Sequence, residues 1–583
     1  MRTGLLAAAT ASLVACGGMT SLYDDPPFLE EAPQAVPNDS GADGIPDSTG
    51  PDGSTQDGPV PDVAETGPLP DGGVAWSVCS LYDGEYDQRA ECAYVPMPFD
   101  PQHPEGDQIG VFVKRLRAAV QPARGQVWFV QGGPGGAATY DFPPWMDLTS
   151  QTHPDLDMYA ADHRGTGRSE RLSCPQESDG LDTPERVEGC GNNIEMVWGS
   201  RLAFFSTTES ARDLGRLADL TRLPGQQLFV YGGSYGAYHV SRYLQLYPSQ
   251  ADGVMLDGIA PPGFTFVDFD DHMNAVSKTL FDACRDDAFC GSKLGPDPWG
   301  ELGKLELALD QGHCSNLGFS SAMLKAVFGS MMYSRPLLDY LPAITYRLRR
   351  CSAADQQALA TFYNALSEMW GGGDPAAFSD GLYYHVATSE LWTFPSPSPQ
   401  ELQAKFDAAF VAGDVSLMAS AAMTWPRYDP QPYDEVWPQP TMPMLMTNGA
   451  LDPATPLAKA VAVEAHFVAP YQVFLPFDHA GHCVYQQTWT DPDFQIDCAT
   501  MIRDQFLKKP DAPLDLSCMN DVLPPRFEGH EAYDPYLFGQ PDAWENPSGY
   551  PLPDPTAYQA AKDRWVKWRR LRAPFRSGPR PSL

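Results

Sequence analysis

The sequence is poor in basic residues, since 39 Lys and Arg stand against 75 Asp and Glu among 583 residues. The formal net charge of −36 argues against a nucleic-acid partner, because phosphate binding needs a basic surface. The chain also lacks any run of 18 apolar residues, so no transmembrane helix is expected. A chain of this length can bury a large core and is expected to form more than one domain.

The N-terminus has the pattern of an export signal. Arg2 precedes an apolar run at residues 5–14, which is too short to span a bilayer but suits a signal-peptide core. The run ends in Leu-Val-Ala-Cys, which resembles a bacterial lipobox, so residues 1–15 are predicted to be a lipoprotein signal peptide. Cys16 is then predicted to carry a lipid and to anchor the exported protein in the cell envelope. An ordinary secretory signal with an incidental cysteine is the alternative.

Two segments lack the pattern of a folded domain. Residues 16–75 are rich in Pro, Gly, Asp and Ser and contain no Lys or Arg, which predicts a disordered acidic tether. Residues 519–583 form a Pro-rich tail with a basic end. That end is expected to pack onto the acidic body of the protein or, alternatively, to touch an anionic envelope surface or the acidic tether.

Eleven cysteines remain after Cys16, and export favours disulfides over metal sites or redox thiols. Local spacing leaves Cys518 unpaired. The pairs that it suggests are Cys79–Cys92, Cys174–Cys190, Cys284–Cys290, Cys314–Cys351 and Cys483–Cys498.

Strand-like and helix-like segments alternate over much of the chain. The predicted strands lie at residues 109–113, 127–130, 158–161, 227–230, 253–257, 444–446 and 471–475. A helical spacing at residues 206–220 precedes one of these strands. The alternation predicts a mainly parallel sheet with helices on both faces, built from residues 76–261 and 426–518. Between these parts, residues 262–425 show helical spacing with almost no strand signal, which predicts a helical cap.

The most informative motif is Gly-Gly-Ser-Tyr-Gly at residues 232–236, between a predicted strand and a helix-like stretch. A Gly-x-Ser-x-Gly in that setting is typical of a nucleophile elbow, in which only small residues fit around the serine. Ser234 is therefore the candidate nucleophile.

A serine nucleophile needs a general base and an acid that orients it, in the order Ser, acid, His along an α/β-hydrolase chain. Asp452 follows the predicted strand at 444–446 and is the candidate acid, with Asp257 as the alternative. His482 and His479 both follow the next strand, and Gly481 favours His482 because it lets the loop approach the serine.

The oxyanion formed during acyl transfer needs two N–H donors. Tyr235 follows the nucleophile and is expected to supply one through its backbone. Residues 132–136 read Gly-Gly-Pro-Gly-Gly directly after a strand, and Gly133 is the candidate for the second donor. This run lacks the Lys and Ser/Thr of a phosphate loop, and no third ligand joins the two histidines in a metal site, so neither cofactor nor metal is expected.

Four motifs together resemble the secreted tripeptidyl aminopeptidases, serine exopeptidases related to the prolyl aminopeptidases. They lie at residues 132–136, 162–169, 231–236 and 448–456. The resemblance covers about residues 78–518 and implies an α/β-hydrolase fold with an inserted helical cap. It also implies Ser234 as nucleophile, Asp452 as acid and His482 as base.

These observations favour an envelope serine hydrolase that releases short peptides or single residues from peptides with free N-termini. An esterase or amidase that acts on small molecules with the same three residues is the alternative. A non-catalytic surface-binding lipoprotein is a further alternative, against which the intact motifs argue. The sequence gives no oligomeric state.

Overall fold

The computed structural model describes residues 73–83, 86–370, 374–492, 494–546 and 555–571. The predicted signal peptide, Cys16 and the predicted tether up to residue 72 lie outside the described residues, as does the basic end after residue 571. Within the described ranges, no helix is both long enough and apolar enough to cross a membrane.

The strands that the structure describes form one sheet. They are β1 (Ser77–Cys79), β2 (Ala90–Pro98), β3 (Gln108–Leu116), β4 (Gly125–Val130), β5 (Leu156–Asp162), β6 (Gln227–Gly233), β7 (Gly253–Asp257), β8 (Met444–Gly449) and β9 (Gln472–Phe477). Their spatial order is β1-β2-β3-β5-β4-β6-β7-β8-β9. The strands from β5 to β9 in that order are parallel, whereas β1, β2, β3 and β5 pair antiparallel. The predicted, mainly parallel sheet is confirmed, and each predicted strand lies in or overlaps an observed one.

Helices of the first core part precede or follow these strands. They are α1 (Ala138–Asp141), α2 (Pro143–Thr152), α3 (Pro184–Trp198), α4 (Thr207–Thr221) and α5 (Tyr235–Leu246). Helix α4 begins where the sequence predicts it, because the Ser206 hydroxyl accepts a hydrogen bond from the Glu209 N–H at 3.3 Å and caps the first turn.

Between β7 and β8, the described residues contain helices and no strand. The α-helices are α6 (Phe269–Asp286), α7 (Ala288–Leu294), α8 (Pro298–Asp310), α9 (Ser321–Met331), α10 (Leu341–Arg350), α11 (Ala353–Trp370), α12 (Asp380–Glu390), α13 (Pro399–Ala408) and α14 (Ser416–Thr424). Helices α6–α11 share one hydrophobic cluster, while α12 and α14 pack into the cluster on one face of the sheet.

Further helices follow β8. They are α15 (Leu457–Ala460), α16 (Val463–His466), α17 (Cys498–Lys508), α18 (Asp534–Leu537) and α19 (Pro555–Leu571). Trp565 on α19 is buried, and its ring centroid lies 5.1 Å from that of Tyr533. Both residues belong to the cluster of helices α6–α11, so this part of the tail packs against the protein itself.

The sheet has helices on both faces because alternate side chains of each strand point in opposite directions. On β4, Trp128 and Val130 join the cluster that contains α4 and α5. The neighbouring Val127 and Phe129 join the cluster that contains α2 and α17. The carboxyl ends of the parallel strands therefore form one shared edge between two covered faces.

Four of the five predicted disulfides are present: Cys79–Cys92, Cys174–Cys190, Cys284–Cys290 and Cys314–Cys351. The predicted Cys483–Cys498 pair is wrong, since Cys498 bonds to Cys518. Cys483 lies in the buried loop after β9, where its Sγ is 3.6 Å from the Asp257 carbonyl oxygen. Spacing alone paired neighbours along the chain, whereas Cys498 at the start of α17 faces the segment that follows this helix.

Candidate active site

Ser234 lies in the turn between β6 and α5, at the carboxyl edge of the sheet. Its backbone has φ 58° and ψ −126°, a left-handed conformation that non-glycine residues rarely adopt. The turn is possible because Gly232 and Gly236 lack side chains: a Cβ on Gly232 would lie 2.3 Å from the Gly236 oxygen. Such backbone strain is typical of functional positions, and it is the geometry that the motif predicts.

The neighbouring strand holds the serine in place. The Ser234 N–H donates to the carbonyl oxygen of Asp257 at 2.8 Å, at the point where β7 ends. Only 5% of the Ser234 surface is exposed. The serine is thus fixed between the ends of two parallel strands and largely shielded from solvent.

Asp452 lies in the loop after β8, and its carboxylate is fully buried. One oxygen accepts hydrogen bonds from the backbone N–H groups of Ala454 and Thr455, each at 2.9 Å. The other accepts from the Thr455 hydroxyl at 2.7 Å. These donors stabilise a buried carboxylate and fix its orientation.

His482 lies in the loop after β9, with its Nδ1 at 2.9 and 2.8 Å from the two carboxylate oxygens of Asp452. Its Nε2 is buried and has no hydrogen-bond partner among the described residues. The ring of Tyr333 lies edge-on at a centroid distance of 5.5 Å. An imidazole held by a carboxylate at Nδ1, with Nε2 available, has the arrangement of a general base.

His479, the other candidate base, makes no hydrogen bond to Asp452. It is half-buried, and burial lowers the pKa of its imidazole with a further contribution from the positive charge of Arg335. The Arg335 guanidinium donates to the His479 carbonyl at 3.2 Å from both Nε and Nη1. A third donation at 3.2 Å reaches the carbonyl of Leu523 in the tail. The histidine loop is therefore held by a cap residue that also binds the tail.

Asp257, the other candidate acid, faces a different part of the same loop. Its carboxylate accepts from the Val484 N–H at 2.8 Å, the Thr447 hydroxyl at 3.0 Å and the Tyr231 hydroxyl at 3.2 Å. Burial raises the pKa of Asp257 to about 7, although these hydrogen bonds act in the opposite direction. Of the two acids, the structure brings Asp452, and not Asp257, to the ring of His482.

The glycine-rich run follows β4 and lies beside the elbow. Gln131 orients its start: its Oε1 accepts from the Gly132 N–H at 2.7 Å, and its Nε2 donates to Asp141 at 2.6 Å. Gly133 has φ 129°, and a Cβ there would lie 2.6 Å from the backbone nitrogen of Gly135. Only glycine suits this position.

Tyr235 is the first residue of α5 and is 3% exposed. The first N–H groups of a helix have no acceptor within the helix and carry the positive end of its dipole. The backbone of Tyr235 therefore suits the stabilisation of a developing negative charge next to Ser234. Burial raises the pKa of its phenol, so this side chain stays neutral.

One group of three side chains among the described residues has its ligand atoms close enough to hold a metal ion: Cys174, Glu177 and Cys190. The two cysteines form a disulfide, so neither offers a thiolate. The group therefore cannot bind a metal ion through its sulfur atoms. It lies in the segment between β5 and α4.

Sequence reasoning missed several residues of this site. Tyr333 and Arg335 belong to the cap, and no local pattern connects them to His482 or to its loop. Thr455 lies inside the motif at residues 448–456, three residues after Asp452. That spacing is a signal that could have identified it as a partner of the acid.

Two family models match the chain. Residues 127–289 match the alpha/beta hydrolase fold, and residues 410–518 match a model described as TAP-like protein. The first match contains the elbow, and the second contains the loops of Asp452 and His482. Together with the strand order, these matches confirm the predicted fold and the resemblance to the tripeptidyl aminopeptidases.

Two curated relatives are both named tripeptidyl aminopeptidase. One is from Streptomyces coelicolor and the other from Streptomyces lividans, and each is 27% identical to this chain over 218 residues. The match covers 33% of this chain and 38% and 39% of the respective relatives. The aligned region thus spans about two fifths of the length of these proteins.

Solved structures with detectable similarity include two esterases. The esterase from Exiguobacterium antarcticum is 13% identical with a TM-score of 0.28, over 64% of this chain and 90% of that one. The thermophilic esterase from Thermogutta terrifontis is 14% identical with a TM-score of 0.28, over 72% of this chain and 99% of that one.

Proposed function

Because the chain is an α/β hydrolase with a TAP-like C-terminal part, we propose that it is a serine peptidase. It releases short peptides or single residues from the N-termini of its substrates. The observation that carries this proposal is the hydrogen-bonded pair of Asp452 and His482, with Nε2 available, at the sheet edge that also presents Ser234.

In the proposed mechanism, Ser234 Oγ attacks the scissile carbonyl while His482 Nε2 accepts its proton. Asp452 stabilises the imidazolium and keeps Nδ1 protonated. His482 then donates the proton to the leaving amine, and the C–N bond breaks to give the acyl-enzyme. Water, deprotonated by the same Nε2, attacks the ester and restores the serine hydroxyl as the acid product leaves.

The charge on the tetrahedral oxygen is stabilised by the backbone N–H groups of Tyr235 and Gly133. Preorganised donors of this kind contribute about 10²–10³-fold each to kcat. The positive φ of Gly133, in the run beside the elbow, and the position of Tyr235 as the first residue of α5 support this assignment.

The exopeptidase character is supported by the names of the relatives and by the helical segment between β7 and β8. A cap over the site admits the ends of polypeptide chains and excludes their interior segments, because the interior of a folded polypeptide cannot pass beneath it. The substrates in this proposal are peptides with free N-termini.

The anchor is proposed on the N-terminal sequence alone. Cys16 carries a lipid and holds the enzyme at the cell envelope of a bacterium. Expression in a bacterial host with an alkyne fatty acid should label the wild-type protein, whereas Cys16→Ser should remain unlabelled and be released from the membrane fraction. Equal labelling of both proteins would contradict the anchor.

The first experiment combines an active-site probe with a substrate pair. The full chain and Ser234→Ala are treated with a fluorophosphonate, and Ala-Ala-Pro-anilide is offered with its N-terminus free or blocked. We expect labelling only of the wild type and cleavage only of the free substrate. Cleavage of both peptides would exclude an aminopeptidase, and labelling with neither peptide cleaved would favour an esterase or amidase. A folded wild-type protein that is not labelled would contradict the serine mechanism.

A further inference from the structure

Helix α12 of the cap contacts the catalytic core at both of its ends. Its first residue, Asp380, directly follows residues 377–379, which contact the glycine-rich run. Its last residue, Glu390, contacts the start of α4 beside α5. One of these core regions contains Gly133, and the other contacts Tyr235, so the helix is connected to both sides of the proposed oxyanion hole. The contacts at each end include hydrogen bonds.

The N-terminal end pairs with the glycine-rich run through the backbone. The Ser379 N–H donates to the Gly135 oxygen at 2.9 Å, and the Ala137 N–H donates to the Ala377 oxygen at 3.0 Å. Gly136 and Phe378 form an antiparallel bridge between these two bonds. A Cβ on Gly135 would lie 2.5 Å from the Ser379 oxygen, so the glycine allows this close approach.

A partly buried ion pair fixes the same end of α12 to the core. Glu177 accepts from Arg171 at 2.8 Å with one oxygen and from the Gly381 N–H at 2.8 Å with the other. Arg171 also donates to the carbonyl oxygen of Phe378. The Ser379 hydroxyl donates to the carbonyl oxygen of Leu172 at 2.5 Å. The segment before α12 is therefore bound by both Arg171 and Leu172.

The C-terminal end of α12 carries Glu390, whose side chain is fully buried. Its carboxylate accepts from the Thr207 N–H at 2.9 Å and from the Tyr428 hydroxyl. It also lies 3.5 Å from the guanidinium of Arg242 on α5. Thr207 is the first residue of α4, so the carboxylate binds at a helix N-terminus, where negative charge is stabilised.

Thr207 links this carboxylate to the nucleophile turn. Its hydroxyl is 2.8 Å from the hydroxyl of Tyr235, and both side chains are buried. Tyr235 is the residue whose backbone N–H is the proposed donor next to Ser234. A path of two hydrogen bonds therefore joins Glu390 to the residue that forms one side of the hole.

We propose that α12 acts as a strut that sets the separation of the two oxyanion donors, with Glu390 and Thr207 as positioning residues. The proposal rests on the serine mechanism above. The helix is fixed on the Gly133 side by residues 377–379 and on the Tyr235 side by Glu390. It therefore keeps the distance between the two backbone N–H groups constant. If a donor is displaced by a fraction of an ångström, the enzyme loses more affinity for the transition state than for the substrate.

The test is Thr207→Val, which removes the hydroxyl bound to Tyr235 and keeps the backbone N–H bound to Glu390. Thr207→Ser is the rescue variant because it restores the hydroxyl. Thr221→Val is the matched control, since Thr221 lies at the other end of α4 and its buried hydroxyl bonds to Leu217 and Gln126. The readouts are the rate of fluorophosphonate labelling of Ser234, the affinity for a peptide boronate and the melting temperature.

We expect Thr207→Val to slow labelling and weaken boronate binding by about 10-fold, which is less than the loss of about 10²–10³-fold that follows removal of an oxyanion donor. Its affinity for a product peptide should stay within about twofold, and Thr207→Ser should recover most of the rate. Thr221→Val should lower the melting temperature without slowing labelling. Wild-type labelling rates in Thr207→Val, or equal losses in both valine variants, would overturn the strut.

The same measurements separate this proposal from the proposed function. Wild-type labelling that disappears in Ser234→Ala supports the serine mechanism whatever the Thr207 variants do. Normal labelling of Thr207→Val then refutes the strut alone. If the wild type is not labelled at Ser234, both proposals are refuted together.

Discussion

Asp257 is the last residue of β7, Asp452 lies in the loop after the neighbouring parallel strand β8, and both are fully buried. Each accepts a hydrogen bond from a threonine hydroxyl: Thr447 at 3.0 Å for Asp257 and Thr455 at 2.7 Å for Asp452. Only Asp452 reaches the imidazole of His482. Asp257 binds the backbone of the histidine loop instead.

The two acids show that position after a strand is not enough to assign a role. The loop after β8 turns its carboxylate toward Nδ1 because two backbone N–H groups and a hydroxyl fix it there. The carboxylate of Asp257 lies directly at the strand end, where it can hold the loop that carries the base. We therefore expect one acid to orient the imidazole and the other to hold the backbone of its loop.

Of the substitutions at the two acids and their threonine partners, Asp452→Asn should have the largest effect on activity. An amide in place of the carboxylate stabilises the wrong tautomer of His482, which in a serine triad lowers kcat by about 10⁴-fold. The rate of peptide-anilide cleavage is compared with that of Asp257→Asn, which should fall by far less. If Asp257→Asn were the slower enzyme, the roles of the two acids would have to be exchanged.

Thr455→Val should have a smaller effect than the loss of the acid itself. It removes one hydrogen bond to the Asp452 carboxylate but leaves the two backbone donors, so we expect kcat to fall by about 10-fold. Thr447→Val is the matched variant, because it removes the equivalent bond to Asp257. Its kcat should stay within about twofold of wild type. Equal losses in both variants would remove the distinction between the acids.

Asp257→Asn should change how stability depends on pH. The pKa of Asp257 is raised to about 7 by burial, above its usual 3.8. The folded protein therefore holds a proton between these values that the unfolded chain releases, and the contribution of Asp257 to stability is lost as the pH rises through this window. Asparagine does not titrate.

Urea unfolding at pH 5 and pH 8 tests this expectation. The stability advantage of the wild type over Asp257→Asn should be larger at pH 5 than at pH 8, and taking the difference between the two proteins cancels the titration of other groups. An equal difference at pH 5 and pH 8 would mean that Asp257 is already ionised in the folded state throughout this window.

His479→Ala should have the smallest effect. The side chain is half-buried, and its backbone carbonyl, which survives the substitution, is the group that binds Arg335. We expect kcat to stay within about twofold of wild type, whereas His482→Ala should lose nearly all activity. Comparable losses for the two histidines in steady-state assays would contradict the assignment of the base.

Much of the core could be predicted because its signals are local. The strand around residues 127–130, the elbow at Ser234 and the turn after β8 each show their role within a few residues. A buried parallel strand appears in the sequence as an apolar run. A Gly-x-Ser-x-Gly turn is recognised by the small residues that its backbone geometry requires.

The rest depends on contacts between distant segments. Glu390 and Thr207 are 183 residues apart, and Arg335 and His479 are 144 apart, so no window of sequence connects them. The Cys498–Cys518 disulfide was missed for a related reason, because it depends on how the chain turns back after α17. These contacts arise only when the cap and the tail have docked onto the core.

The insertion of the cap between β7 and β8 also sets the order in which the site is made. Thr447 and Asp257 are in contact although 190 residues separate them. At typical synthesis rates of about 5–20 residues per second, the chain between Ser234 and Asp452 takes roughly 10–45 s to be made. The proposed nucleophile therefore leaves the ribosome well before its proposed base is made. The candidate site is complete only when β8 and β9 have joined the sheet.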